Sequence, residues 1–169
     1  GIVEAYLHPD YANATGAGWT RVHFGWGGLE MQPNRPLNQR YFGSGVTINQ
    51  VLQRELNANR HPVGLLIETP PWASQTGGKY DVPRGLNLPY NDPGNVWGQF
   101  VKKVVQEYGD KVKQWIIWNE PDIWHDDQNT QQWKGNAAQY AQLLKVASQA
   151  AKSVDPNAKI LIAATTFWW

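Results

Sequence analysis

The sequence predicts an α/β protein built on a parallel sheet. Short apolar runs of strand length alternate with longer amphipathic segments along the 169 residues. The short runs are continuously apolar and lack the in-out alternation of a half-exposed strand, which is typical of strands covered on both faces. Because strands alternate with helices, the connections are crossovers, and crossovers of this kind join parallel strands.

Five apolar runs predict the strands. Gly and Pro residues punctuate the connections between them without forming a linker, so no domain boundary is visible. A length of 169 residues is near the usual size of a single domain, and residues 1–169 are therefore predicted to form one domain. In chain order the strands cover residues 2–6, 19–24, 63–67, 115–118 and 160–164.

Three segments have the spacing of amphipathic helices. The clearest covers about 96–108, where apolar residues form one stripe, Asn95 can cap the start and Gly109 can end the helix. Another covers about 133–154 and is stopped by the Asp-Pro pair that follows. The third starts near Thr47 and ends before the third strand.

Composition and charge exclude several classes of protein. Fifteen Lys and Arg against fourteen Asp and Glu leave a formal net charge of +1, spread along the chain, so nucleic acid is not expected as a partner. The absence of cysteine excludes a disulfide scaffold, a thiolate metal site and a cysteine nucleophile. Four scattered His residues lack metal-ligand spacing, so no metal or cofactor is expected.

The chain is also expected to be soluble. Its longest apolar stretches are too short to span a bilayer, and the first residues lack the charged and apolar regions of a signal peptide. No membrane contact is therefore expected. Secretion and a cytoplasmic location both stay open.

Two architectures fit the alternation, an open doubly wound sheet and a closed (β/α)₈ barrel. A nucleotide-binding sheet carries a glycine-rich turn after its first strand, and this sequence has none there. Polar and aromatic residues gather instead just past the strand ends, where barrel enzymes build their sites. The sequence therefore predicts a (β/α)₈ barrel, with about its first five βα units in this chain. The rim residues are His23, Trp26, Glu30, Glu68, Trp72, Asn119, Glu120 and Trp124.

The run WNEPD, at residues 118–122, carries the most chemical information. It places an amide and a carboxyl at the end of the fourth strand, beside aromatic side chains. Partial burial among such side chains raises the pKa of a carboxyl, which a general acid near neutral pH requires. Pro121 ends the strand and fixes the turn on which Glu120 stands. The run resembles the Asn-Glu-Pro motif of retaining glycoside hydrolases with (β/α)₈ barrels. The resemblance is nearest to glycoside hydrolase family 39, the β-xylosidase and α-L-iduronidase family.

The resemblance implies a role for each matching residue. Glu120 would be the general acid/base and Asn119 would bind the sugar 2-hydroxyl, with a carbohydrate as substrate. The stretch Arg21-Val22-His23 resembles the family's Arg-x-His, whose His contacts sugar hydroxyls. Trp124 matches the aromatic residue that follows the acid/base in the family.

The sequence departs from the family at the second catalytic carboxyl. The family's nucleophile is a Glu at the end of the seventh strand, and we expect it beyond residue 169, because only five strands are visible here and a whole barrel takes about 250 residues. Three interpretations stay open: a fragment whose C-terminal half is missing, a partial barrel completed by another copy of the chain or by a different chain, or a shortened, inactive homologue that only binds carbohydrate. Within the chain Glu68 is the best second carboxyl, although it is more readily interpreted as a hydrogen-bonding rim residue.

The ten Trp residues divide between core and site. An aromatic cleft would stack on the apolar faces of sugar rings. Trp26, Trp72 and Trp124 are predicted as stacking platforms, Trp97, Trp115 and Trp133 as core, and Trp118 as either. Residues 75–85 are predicted to form a long mobile loop over the barrel mouth.

Overall fold

The computed structural model describes residues 1–40, 45–123 and 131–166. Its strands are β1 (Ile2–Val3), β2 (Trp19–Gly25), β3 (His61–Ile67), β4 (Gln114–Ile117) and β5 (Lys159–Ile162). They form one sheet in the order β1-β2-β3-β4-β5, and every pair is parallel. Strands consecutive in the chain are therefore neighbours in the sheet, as in successive βα units, and the predicted α/β class is confirmed.

Helices occupy each connection between strands. The three that the periodicity predicts are confirmed, and two short helices, α1 and α2, were not predicted. A 3-10 helix at Ala5–Leu7 precedes α1. In chain order the α-helices are α1 (Pro9–Ala14), α2 (Trp26–Leu29), α3 (Ile48–Asn57), α4 (Val96–Tyr108) and α5 (Ala137–Lys152).

Side-chain caps fix where the three long helices begin. Thr47, Asn95 and Asn136 each accept a hydrogen bond from the backbone N–H three residues further on. Such a cap satisfies one of the free N–H groups of the first helical turn and contributes about 1 kcal/mol. Because Asn136 is the cap, α5 begins at Ala137, and the prediction that it starts near residue 133 is wrong.

Left-handed backbone residues fix where two strands end. Glu4 has φ 54° and ends β1 after Val3, so the predicted strand 2–6 is too long. Trp118 has φ 72° and turns the chain out of β4 directly after Ile117. Both reversals occur at the C-terminal end of a strand, where the predicted site lies.

The hydrophobic core lies between the sheet and the helices α4 and α5. Phe24 of β2 packs against Tyr108 of α4 and Trp115 of β4, with ring centroids 5.5 and 5.4 Å apart. Gly64 of β3 makes room for the indole, because a Cβ there would lie 2.4 Å from the Trp115 ring. Much of the aromatic surplus therefore serves the core. Trp97, Trp115 and Trp133 are buried, as predicted.

The two edges of the sheet differ from its centre. Apolar side chains of β3 are almost wholly buried, whereas Val3 on β1 is 52 % exposed and Ile162 on β5 is 67 % exposed. Both edge strands thus present apolar side chains to solvent. Within the described ranges, no helix is long and apolar enough to cross a membrane.

Candidate active site at the strand ends

Three glutamates stand at the C-terminal ends of β1, β3 and β4 in the same rare conformation. Glu4, Glu68 and Glu120 have φ values of 54°, 72° and 46°, in the left-handed region that favours glycine. This conformation costs a residue with a side chain about 1–3 kcal/mol and persists only where neighbouring contacts impose it. The strain collects at the sheet edge where parallel α/β proteins bind their ligands.

A chain of hydrogen bonds connects Glu120 to the neighbouring strands. Asn119 Nδ2 donates to Glu120 Oε2 over 3.0 Å, and Asn119 Oδ1 accepts from Arg21 Nη1 over 3.1 Å. A guanidinium only donates, so Arg21 holds the amide with its oxygen inward and its NH₂ toward the carboxyl. Three of the predicted site residues are thereby in one hydrogen-bonded row, and all three are half-buried.

The end of β5 supports the turn that carries Glu120. Glu120 N donates to Ala164 O over 3.2 Å. Two residues on, Asp122 Oδ2 accepts from both the backbone N–H and the hydroxyl of Thr166, each over 2.8 Å. Burial raises the pKa of Asp122, but these two hydrogen bonds outweigh it and hold the pKa below its ordinary value. An ionised Asp122 therefore fastens the WNEPD turn to β5.

Glu68, at the end of β3, lies in a second group of charges. Its Oε1 is 2.9 Å from the Nζ of Lys79, and this hydrogen bond raises the pKa of Lys79. His23 of β2 lies in the field of Glu68 and Glu4, which raise its pKa, but burial dominates and lowers it. The imidazole is therefore neutral at pH 7 and can both donate to and accept from a hydroxyl group.

A buried carboxylate organises the loop that carries Lys79. Asp81 Oδ2 accepts hydrogen bonds from the Ser74 and Thr76 hydroxyls and from the N–H groups of Thr76 and Gly78. Burial alone would raise the pKa of Asp81, but these bonds lower it to about 2. The segment 75–85, predicted as a mobile loop, therefore has an internal hydrogen-bonded framework.

The three Trp residues predicted to stack on sugars have different outcomes in the structure. Trp26 is fully buried and stacks on Phe100 of α4 with centroids 4.7 Å apart, so it has no face to offer a sugar, and its predicted stacking role is wrong. Trp72 is half-buried, packs against Trp26 and donates from its Nε1 to Glu30 O. Trp124 lies outside the described residues.

Trp118 is structural. Its ring is fully buried, its backbone N–H donates to Leu66 O over 2.8 Å, and its Nε1 donates to Gln132 O over 2.5 Å. These contacts hold the left-handed turn that aims Asn119 and Glu120. The same residue thus ends β4 and orients the two polar side chains after it.

Sequence reasoning missed Lys79 and Asp81. Both fall in a polar loop whose composition says nothing about which charge is buried. The one available signal was the spacing of Ser74, Thr76 and Asp81, which resembles a turn in which hydroxyl groups and backbone N–H groups converge on one carboxylate.

Two cavities of the described chain lie away from this site. One of about 610 Å³ lies between α1 and the end of α3, and one of about 380 Å³ lies beside Trp19 and Lys113 at the opposite end of the sheet. Among residues 1–40, 45–123 and 131–166, no three His, Asp or Glu side chains converge as metal ligands would. The strand-end residues are therefore identified by chemistry and strain instead of cavity size.

Known structures give the fold a context. No protein-family model matches this sequence, and no curated protein matches it. A family 39 glycoside hydrolase from Bacteroides cellulosilyticus WH2 matches 95 % of the chain with a TM-score of 0.63 and 15 % sequence identity. The β-glycosidase BGL167 matches 93 % with a TM-score of 0.61 and 12 % identity, and a glucosidase from Croceicoccus marinus matches 92 % with 0.58 and 16 %.

These matches confirm the predicted resemblance in fold. The structural neighbours are barrel-type glycosidases, and a family 39 enzyme is among them. The chain spans only 31 %, 44 % and 32 % of the lengths of these three proteins. At such low identity the likeness establishes the fold alone.

Proposed function

We propose that this chain carries the acid/base half of a glycoside hydrolase of the retaining type. The observation that carries the proposal is the Arg21-Asn119-Glu120 row at the end of β4, where a left-handed backbone residue carries the carboxyl. The neighbouring folds support a glycosidase kind of function. Catalysis itself is part of the proposal.

The geometry suits proton transfer at Glu120. In the first step Glu120 donates its proton to the oxygen of the leaving group, while a second carboxylate attacks the anomeric carbon. In the second step Glu120 takes a proton from water, which breaks the glycosyl-enzyme ester. Asn119 Nδ2 uses one of its two N–H groups on Glu120 and can donate the other to a sugar hydroxyl once the substrate is bound. Neutral His23 can contact a further hydroxyl.

The second carboxylate is expected outside these five strands. A retaining mechanism requires two carboxyl groups about 5 to 5.5 Å apart. Glu68 is engaged with Lys79, and an ammonium partner weakens a carboxylate as a nucleophile. We therefore propose that further strands supply the nucleophile and complete the barrel, either as more of the same polypeptide or as a second copy.

The rival proposal is a carbohydrate-binding protein without catalysis. The ion pair between Glu68 and Lys79 favours it. Of the two glutamates at the ends of β3 and β4, Glu68 is held by a cation, and among the described residues only Glu120 is held by a neutral partner. One such carboxyl is fewer than the two that a retaining mechanism requires. Both proposals share the same ligand class.

Turnover and affinity separate the two. In the protein that contains the complete barrel, the enzyme proposal predicts hydrolysis of oligosaccharides, whose leaving groups are poor, and predicts that Glu120→Gln removes it while sugar affinity persists. The binding proposal predicts the same affinity in both forms and no turnover by either. Hydrolysis that is unchanged in Glu120→Gln contradicts the assignment of the acid/base.

A further inference from the structure

A second groove lies outside the strand-end site, between the segment after α2 and the start of α4. It is a cavity of about 270 Å³ lined by Pro33, Asn34, Trp72, Pro93, Gln99 and Lys103, among others. We propose that this groove binds one sugar unit of a neutral oligosaccharide, independently of catalysis at Glu120. Its volume is just below the range of pockets for drug-sized ligands, which suits a single ring.

Trp72 is held in place as a platform. Its Nε1 donates to Glu30 O over 2.9 Å, and its ring meets Trp26 at 87° with centroids 5.6 Å apart. A perpendicular contact covers at most one face of Trp72, so at least one face is not covered by Trp26. Because its position is already fixed, little side-chain entropy is lost when an apolar sugar face stacks on it.

The polar groups of the groove are balanced in charge. The buried Glu30 carboxylate accepts from Trp26 Nε1 over 3.0 Å and from Lys103 Nζ. Glu30 and Lys103, the charged residues among the described lining, are therefore paired. Gln99 Nε2 donates to Asp92 O over 3.0 Å, which leaves its Oε1 as an acceptor. The Asn34 side chain is exposed beside it. A balanced lining with amide groups favours a neutral ligand rich in hydroxyl groups.

The groove is distinct from the strand-end site but adjacent to it. Trp72 of the groove contacts Trp26. The next residue, Gly27, approaches the strand-end site, because a Cβ there would be 4.0 Å from Glu68 Oε2.

The test is calorimetric titration of the protein with xylohexaose and with cellohexaose. At least one is expected to bind, and Trp72→Ala should weaken the groove's affinity at least tenfold, with a smaller loss for Gln99→Ala. Trp19→Ala is the matched control, because Trp19 is 45 % exposed at the other end of the sheet. Trp19→Ala and Glu120→Gln should both leave the groove's affinity unchanged.

Failure of this inference is distinguishable from failure of the proposed function. If the protein shows no turnover but binds a hexasaccharide in a way that depends on Trp72, the groove is supported and the proposed function is not. If Trp72→Ala does not fold by circular dichroism, Gln99→Ala together with Asn34→Ala decides by the same criterion. Wild-type affinity in the groove variants, no binding of either hexasaccharide, or binding of a proline-rich peptide in their place overturns the inference.

Discussion

The ends of β3 and β4 place the same residue type in the same strained conformation and give it different partners. Glu68 faces an ammonium, Lys79 Nζ, at 2.9 Å, whereas Glu120 faces a neutral amide, Asn119 Nδ2, at 3.0 Å. The ammonium holds Glu68 in an ion pair, while Glu120 accepts a hydrogen bond from an uncharged group. Position at the rim therefore does not by itself give a carboxyl the surroundings of an acid/base catalyst.

The supports behind the two glutamates also differ. The turn of Glu120 is fastened to β5, through Ala164 and Thr166, and to β2, through Arg21. The partner of Glu68 sits on a loop that is organised by Asp81. The position of Glu120 at the end of β4 therefore depends on the sheet, and the ion pair at the end of β3 depends on a loop.

Exchanging each glutamate for glutamine gives the largest contrast. Glu120→Gln removes the proton donor and should lower kcat/KM for a glycoside with a poor leaving group by about 10²–10⁴-fold. Glu68→Gln keeps the shape and should lower kcat/KM by about tenfold or less, since it changes only the field around the sugar. Steady-state kinetics on the protein with the complete barrel measure both. A larger loss for Glu68→Gln would make Glu68 the second catalytic carboxyl.

Removing the charge of Asp81 tests the loop support. Its pKa lies at about 2 in the folded protein against an ordinary 3.8, so ionisation stabilises the fold above pH 4, and this contribution disappears as the pH falls through 2. Asp81→Asn should therefore cost about 2 kcal/mol in the free energy of unfolding at pH 6 and little at pH 2. Urea unfolding at the two pH values measures this. An equal loss at both would assign the effect to packing.

The edge strand β5 gives a third comparison, with an exposed aromatic residue on a helix. Ile162 is 67 % exposed on β5 and Tyr11 is 78 % exposed on α1. If a second copy completes the sheet, residues 1–169 should have the mass of a dimer or larger assembly by light scattering. Ile162→Asp should reduce it to a monomer, and Tyr11→Asp should not. A monomeric wild-type chain contradicts self-association.

The smallest expected effect is on the pKa of His23. Removing the charge of Glu68 and removing the charge of Lys79 should change it in opposite directions. Glu68 raises the pKa of His23 and Lys79 lowers it, each less than burial does. Glu68→Gln should lower the His23 pKa further, and Lys79→Met should raise it. The imidazole NMR shifts against pH show this. Shifts of the same sign would mean that the two side chains do not act on His23 through their charges.

Much of the fold follows from the sequence because it rests on local signals. The apolar stripe and the cap of α4 gave its bounds, and continuous apolar runs gave the parallel strands. The ends of β1 and β4 were not predictable, because a left-handed Glu4 or Trp118 is imposed by tertiary contacts against local preference. The site divides in the same way. A motif drew attention to Glu120, while the pairing of Glu68 with Lys79 depends on a loop whose path no periodicity records.

The role of Glu120 is tested most directly by the leaving-group dependence of glycosylation. Measured in the protein with the complete barrel, Glu120→Gln should slow this step by orders of magnitude with a poor leaving group. It should slow it far less with an activated aryl glycoside, which departs with little protonation. Glu68→Gln should show no such dependence. Equal losses on both substrates in Glu120→Gln would contradict the acid role of Glu120.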